Sequence, residues 1–499
     1  MSAAGRLLVT GGHVITLGQP AVLADGAVVV EGGEITETGP RELLELHGPF
    51  DAVLGGPGFI VLPGFVNTHY HTECWTARGL IGTIFEYTNL FIGAGAPAAD
   101  EEALELLATW ALTFAARGGQ TTTVDAFYGK PGMPLLGAEP VLRAYERTGL
   151  RTAFALTLRD QNIYAHEPDD RFLARLPADI AAEVRNSPLG YAWPVDQVLG
   201  AFAELTGRWH DRDGRVRFLL APDWTPACSD GLFRLARKTA DEHGVGLTTH
   251  VLETRSEMMW NLQTHRKSAT ARLLDLGILG EDVTFSHFVW ATDEDIRIVA
   301  GEGVNIASNP GSNLRLSSGI CRVRDLLAAG ASVGFGTDGI SFSDREDFFT
   351  ELRLAAYLQR QPVLGEHVRL APGYRADLLC VRTGELFLPP RRYDGVPVLD
   401  VILDRTSASD VDTVVVDGKV VVAGGRMATV DEDRLRDRLL ELADRLYPQH
   451  ESGPRLLELA SLLLPHAQSI YDRWYRMPVD APASVYNTRR PPGAAGEPS

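Results

Sequence analysis

VLPGFVNTHYH (61–71) is an apolar run that ends in two histidines separated by one residue. Seven more short apolar runs follow it: TTTVDAFY (121–128), RTAFALTLRD (151–160), VRFLLAPDW (216–224), GLTTHVLET (246–254), VTFSHFVW (283–290), VNIASNPGSN (304–313) and SVGFGTDG (332–339). Longer amphipathic segments separate them, the alternation expected of parallel β-α units. Eight such units predict an α/β fold built on a closed (β/α)₈ TIM barrel, in which polar residues at the C-terminal strand ends are the candidates for chemistry.

On either side of this region the pattern changes. LLVTGGHVITLG and GAVVVEGGEITETG, with a turn at Gly32-Gly33, are short strands, and so are ADLLCVRT (376–383) and VDTVVVDGKVVVAGG (411–425), where Asp417-Gly418 signals a hairpin. Neither group can close a core alone. The expectation is a flanking β-sandwich made from both chain ends, residues 1–60 and 366–430, with the barrel inserted as residues 61–365. Two amphipathic helices are expected over 431–490, packed on the barrel or on a partner chain, and a disordered tail over 491–499.

Forty-seven Lys and Arg against 65 Asp and Glu in 499 residues give a net charge of −18, which excludes a nucleic-acid binder. No apolar stretch reaches the roughly 18 residues that a membrane helix needs, and no export signal is visible at the start. Cys74, Cys228, Cys321 and Cys380 stand far apart with no C-x-x-C pair, the usage of a reducing compartment. A cytoplasmic protein with a small-molecule partner is expected.

In a strand, positions i and i+2 share a side, so His69 and His71 project together while Tyr70 turns away. Ordinary hydrogen-bonded histidines are the commoner meaning of such a pair. His250 and Glu253 in HVLE, His287 in SHF and Asp338 in GFGTDG then fall at the ends of the fifth, sixth and eighth strands, so four strands deliver polar groups to one rim.

These residues lie in longer motifs: PGFVNTHYH (63–71), GGQTTTVDAFY (118–128), TTHVLETRSEM (248–258), SHFVWATDEDI (286–296), SNPGSNLRLSSGI (308–320), GFGTDG (334–339), PGYRADLL (372–379) and VDTVVVDGKVVVAGGR (411–426). In this order over nearly the whole chain, they resemble the amidohydrolase superfamily, in the branch of S-adenosylhomocysteine and methylthioadenosine deaminases, guanine deaminase and triazine chlorohydrolases. The resemblance implies one metal held by His69, His71, His250 and Asp338. It also implies Glu253 as proton shuttle, His287 beside the metal-bound water, and a catalytic share for Asp338. Such a site supplies hydroxide near neutral pH, which Glu253 can help deliver before passing its proton to a leaving group.

A second, bridging metal would need a carboxylated lysine at the end of a middle strand. Lys130 follows the second strand, and Lys238 and Lys267 fall in helical stretches, so one divalent ion per chain is expected, zinc first and iron(II) second. The expected activity is deamination at a C–NH₂ carbon of a nitrogen heterocycle or cyclic amidine by metal-bound hydroxide, with release of ammonia. Amide or lactam ring opening or loss of a halide by the same attack is the alternative, and a non-catalytic barrel scaffold is a third reading. A homodimer is expected.

The chain departs from its look-alikes in three places. APDWTPACS (221–229) has Asp223 and Trp224 where many relatives have a histidine region, and Ser308 stands where a histidine often precedes Asn-Pro. Asp223, Trp224 and Asn309 are taken as substrate contacts, with turn capping the other reading of Asp223. Trp290, Phe85 and Tyr87 are further candidates for an aromatic wall, and Cys228 and Cys321 are assigned to packing. Between ELRLAAYLQR (351–360) and PGYRADLL (372–379) only eleven residues replace the several dozen usual there. Either that part of the barrel flank is missing, or the C-terminal helices cover it.

Overall fold

A computed structural model describes residues 5–77, 100–130, 132–187, 189, 193–343, 345–359, 370–384, 386, 398–446 and 452–477. Phe85, Tyr87 and the tail lie outside the described residues. The first four strands are β1 (Leu7–Ile15), β2 (Val22–Glu31), β3 (Glu34–Pro40) and β4 (Ala52–Pro63). All eight expected barrel strands form next: β5 (Phe65–Tyr70), β6 (Gln120–Phe127), β7 (Arg151–Leu158), β8 (Val216–Pro222), β9 (Gly246–Val251), β10 (Val283–His287), β11 (Asn305–Ser308) and β12 (Ser332–Phe335). They pair in parallel and in chain order from β5 to β12.

The ring closes where β12 meets β5, through polar groups at the C-terminal strand ends. The Asp338 amide donates to the His69 carbonyl at 3.1 Å, and the Asn67 Nδ2 donates to Thr337 Oγ1 at 2.8 Å. A side chain at Gly336 would sit 2.8 Å from the His69 backbone nitrogen, so only glycine allows the two strands to come this close.

The last strands are β13 (Leu378–Arg382), β14 (Val411–Val416), β15 (Lys419–Ala423) and β16 (Arg426–Met427). With β1–β4 they make a second eight-stranded sheet, in which β13 pairs antiparallel with β4 and so joins the two ends of the chain. The sheet bends back on itself until its two hairpin turns touch. A side chain on Gly33, whose φ is +88°, would lie 2.8 Å from Asp417 Oδ1. Val9, Val28, Val30, Leu378 and Val415 fill the interior of this bend.

The C-terminal helices pack on the barrel. Leu439 and Leu442 of the helix Glu432–Leu446 meet Ala103 and Leu107 of the helix Glu101–Arg117. The helix Ser452–Arg476 lies against Arg255–His265, and the Arg255 Nη2 donates to the Met477 carbonyl at 2.6 Å. The flank after β12 is met by the short helix Val398–Arg405, onto which Arg353 of the helix Phe348–Gln359 docks, donating to the Leu403 and Thr406 carbonyls at 3.0 and 2.6 Å. A largely apolar cavity of about 730 Å³ remains there. Among the described residues, it is thus the helix Val398–Arg405 that meets this flank. Among the described residues no helix is long and apolar enough to cross a membrane.

Candidate active site

The residues singled out at the strand ends converge. His71 Nδ1 lies 2.6 Å from the Ala126 carbonyl and His250 Nδ1 lies 2.7 Å from the Asp223 carbonyl. A carbonyl only accepts, so each Nδ1 carries the hydrogen and each Nε2 presents a lone pair. Those two Nε2 atoms face each other at 3.3 Å and cannot bond to one another. Asp338 Oδ1, a third acceptor, stands 3.2 Å from His69 Nε2 and 3.4 Å from His71 Nε2. Ligand bonds of ~2.0–2.1 Å in a tetrahedral site put neighbouring ligand atoms about 3.3 Å apart, so this spacing would suit a four-coordinate divalent cation.

The electrostatics agree. Burial, and next the neighbouring His69, pushes the His71 ring down to about 3, while burial followed by His250 holds His69 well below the usual histidine range. Both rings are neutral at working pH, as metal ligands must be. Asp338 is fixed from behind, its Oδ2 accepting from Ser312 Oγ at 2.5 Å, and Ser286 Oγ lies 3.0 Å from His69 Nδ1.

His287 and Glu253 stand beside this set. The His287 ring is 5.1 Å from that of His69, and its Nε2 is 3.7 Å from Glu253 Oε2. Asn313 Oδ1 accepts from His287 Nδ1 at 2.9 Å, leaving Nε2 to face Glu253. The strand ends leave ordinary β geometry here: Leu252, His287 and Asp338 have φ of +54°, +69° and +64°. Positive φ in non-glycine residues costs on the order of 1–3 kcal/mol each and persists where the surroundings enforce it, as at functional sites.

A further histidine–acid–thiol group, His71, Glu73 and Cys74, does not compete for a metal. The His71 Nδ1 on that side already donates to Ala126, and burial pushes the Cys74 thiol well above its usual range. Cys228 and Cys321 are buried too, and burial likewise raises their thiols, which fits packing.

The three residues read as substrate contacts come to the same rim with other partners. Asp223 is buried, and its carboxylate pairs with Arg159 at 2.6 Å and accepts from Tyr128 Oη at 2.7 Å, so it is not a turn cap. The Trp224 ring packs 4.7 Å from that of His166. The Asn309 amide lies 3.2 Å from His287 Nδ1. Trp290 turns its indole N–H to the Ser318 carbonyl at 2.8 Å.

Sequence reading missed Tyr128, Arg159, Ser286, Ser312 and Glu257. The signal for Tyr128 and Arg159 was their place at the ends of the second and third strand runs. Tyr128 lies 5.3 Å from the His71 ring, and Arg159 lies over Tyr128 at 5.0 Å.

The amidohydrolase family model matches residues 60–371, more than half of the chain. A 5-methylthioadenosine/S-adenosylhomocysteine deaminase from Syntrophomonas wolfei is 27% identical over 428 residues, 80% of this chain and 90% of that protein. The crystal structure of an adenosine deaminase from Xanthomonas campestris with bound zinc superposes with a TM-score of 0.74 at 22% identity, covering 88% of this chain and 98% of the other. Atrazine chlorohydrolase from Arthrobacter aurescens, complexed with zinc, gives 0.72 at 22% identity over 87% and 99% of the two chains.

Proposed function

Because the chain belongs to the amidohydrolase family, we propose that it is a zinc-dependent aminohydrolase that removes an amino group from a purine-type heterocycle. The observation that carries this reading is the set of three histidine nitrogens and one carboxylate oxygen, with the His71–His250, His69–Asp338 and His71–Asp338 separations at 3.2–3.4 Å and with Glu253 and His287 on one side. His69, His71, His250 and Asp338 would hold the ion. A divalent cation there lowers the pKa of a water toward neutrality and so supplies hydroxide.

The chain's own groups handle the protons. Glu253 takes the proton of the attacking water, gives it to a ring nitrogen of the substrate, and assists departure of ammonia. His287, neutral because burial holds its ring well below the usual range, donates nothing from Nε2 and instead orients the water through that lone pair. The Arg159–Asp223 pair fixes the fourth strand end, where the Asp223 carbonyl in turn orients His250.

The relatives named as deaminases of adenosine-type nucleosides support this substrate class, and the cysteine usage supports a cytoplasmic setting. The test is ammonia release by purified protein from 5′-methylthioadenosine, S-adenosylhomocysteine, 5′-deoxyadenosine, guanine and a chlorotriazine. Release from a purine supports the proposal. Chloride release without ammonia would replace it with dehalogenation, and no turnover of any compound by zinc-loaded protein would overturn it.

A further inference from the structure

In HVLETRSEM (250–258), Thr254 caps the helix Arg255–His265, its side chain accepting from the Glu257 amide at 3.2 Å. A glutamate three residues past the cap ordinarily bonds back to the cap's own amide. Here the carboxylate of Glu257 also reaches further. Its Oε1 accepts from the Leu252 amide at 2.9 Å and its Oε2 from the Glu253 amide at 2.9 Å. The positive φ of Leu252 turns these successive N–H groups to one side, making a concavity for an anion that the chain fills with its own carboxylate.

The arrangement is locked from the neighbouring strand end. Asn261 Nδ2 donates to Thr225 Oγ1 at 2.8 Å and to the Glu257 carbonyl at 3.0 Å, so the Thr225 hydroxyl directs its hydrogen to Glu257 Oε1 at 2.6 Å. Glu257, Thr225 and Asn261 are all fully buried. None of their contacts serves the candidate metal ligands. They serve the peptide that carries Glu253.

We propose that Glu257 is a positioning residue for Glu253: its carboxylate, braced by Thr225 and Asn261, holds the 252–253 peptide in its left-handed bend and so aims the Glu253 carboxylate at the reacting centre. The proposal rests on the reading of Glu253 as proton carrier. It needs no change in charge at Glu257.

A double-mutant cycle on the zinc-loaded full chain tests this, with 5′-methylthioadenosine as probe and metal content measured in parallel. Glu257→Gln is expected to lower kcat by ~10–100-fold, the scale of a misplacement of about 1 Å, with KM within about threefold and metal content unchanged. In a Glu253→Gln background the same change is expected to cost less than about twofold, because the group it aims is already gone. A similar loss in both backgrounds, or loss of metal, would overturn the proposal. Should Glu257→Gln fail to fold, Thr225→Val, which keeps the shape, decides on the same criterion with an expected ~3–10-fold loss. Hydrogen exchange of the peptide spanning 250–258 provides a readout independent of substrate. Faster exchange at 252–254 in either variant is expected, and unchanged exchange in both would refute the brace. If the unmutated protein turns over none of the compounds, the proposed function fails and exchange alone judges Glu257.

Discussion

Strands β5 and β12 behave differently at their two ends. At the C-terminal ends they are tied by polar contacts, the Asp338 amide donating to the His69 carbonyl at 3.1 Å and Asp338 Oδ1 lying 3.2 Å from His69 Nε2. Toward the N-terminal ends, and along the side turned away from His69, the same strands border the 730 Å³ cavity, lined by Val66, Thr68, Val333, Phe348 and Phe349. The polar end has one geometry available, because moving it would strand buried donors and acceptors at about 1–3 kcal/mol each. The apolar end tolerates imperfect filling, because dispersion is lost only a little at a time. Function is built where the geometry is fixed, and slack is left where it is cheap.

Removing the metal should separate the ends most sharply. His250→Ala, or treatment with a chelator, is expected to lower turnover by at least ~10³-fold and to bring metal content from about one ion per chain to near zero. Elemental analysis beside the assay checks both. Two tightly held ions per chain would contradict the single ligand set.

Glu253→Gln keeps the shape but carries no proton, so turnover is expected to fall by at least ~10²-fold with metal content intact. Loss of metal in this variant would make Glu253 a ligand instead.

Acid should attack the rim before the base. Burial holds His166, packed between Trp224 and Tyr471, down at about 3 against an ordinary value of 6.5. Below pH 6.5 the unfolded chain therefore binds a proton that the folded chain refuses, so this stability is complete above 6.5 and is lost as pH falls toward 3. At pH 5 the loss is about 2 kcal/mol. His166→Phe is expected to flatten the fall of Tm between pH 7 and 5, and a curve parallel to that of the unmutated protein would remove His166 as the cause.

The smallest effect belongs to the cavity. Thr68 Oγ1 is buried there with no hydrogen-bond partner among the described residues. Thr68→Val should stabilise the fold by about 1 kcal/mol, raising Tm by about 2 °C, while turnover stays within twofold. A large loss of turnover would show that the cavity and the candidate site are coupled.

The histidines and Asp338 were legible because a period of two and a place at a strand end are local properties. The flank after β12 was legible only as a question. Which helices meet it depends on contacts between segments far apart in sequence, and among the described residues Val398–Arg405 does so.

Asp223 marks the boundary between the two kinds of knowledge. Its place at the end of β8 followed from the run VRFLLAPDW, but its carboxylate is claimed by Tyr128 and Arg159, 95 and 64 residues earlier. Glu257 shows the same limit: its carboxylate reaches past the helix cap to two amides that converge only because Leu252 takes a positive φ. The sequence by itself determined the eight strands, the rim they share and the residue types able to hold a metal, since hydrophobic period and side-chain chemistry belong to short stretches of chain. Tertiary structure alone decided which lone pairs face which, because a hydrogen-bond partner is chosen by distances of a fraction of an ångström between strands that meet only after the barrel has closed.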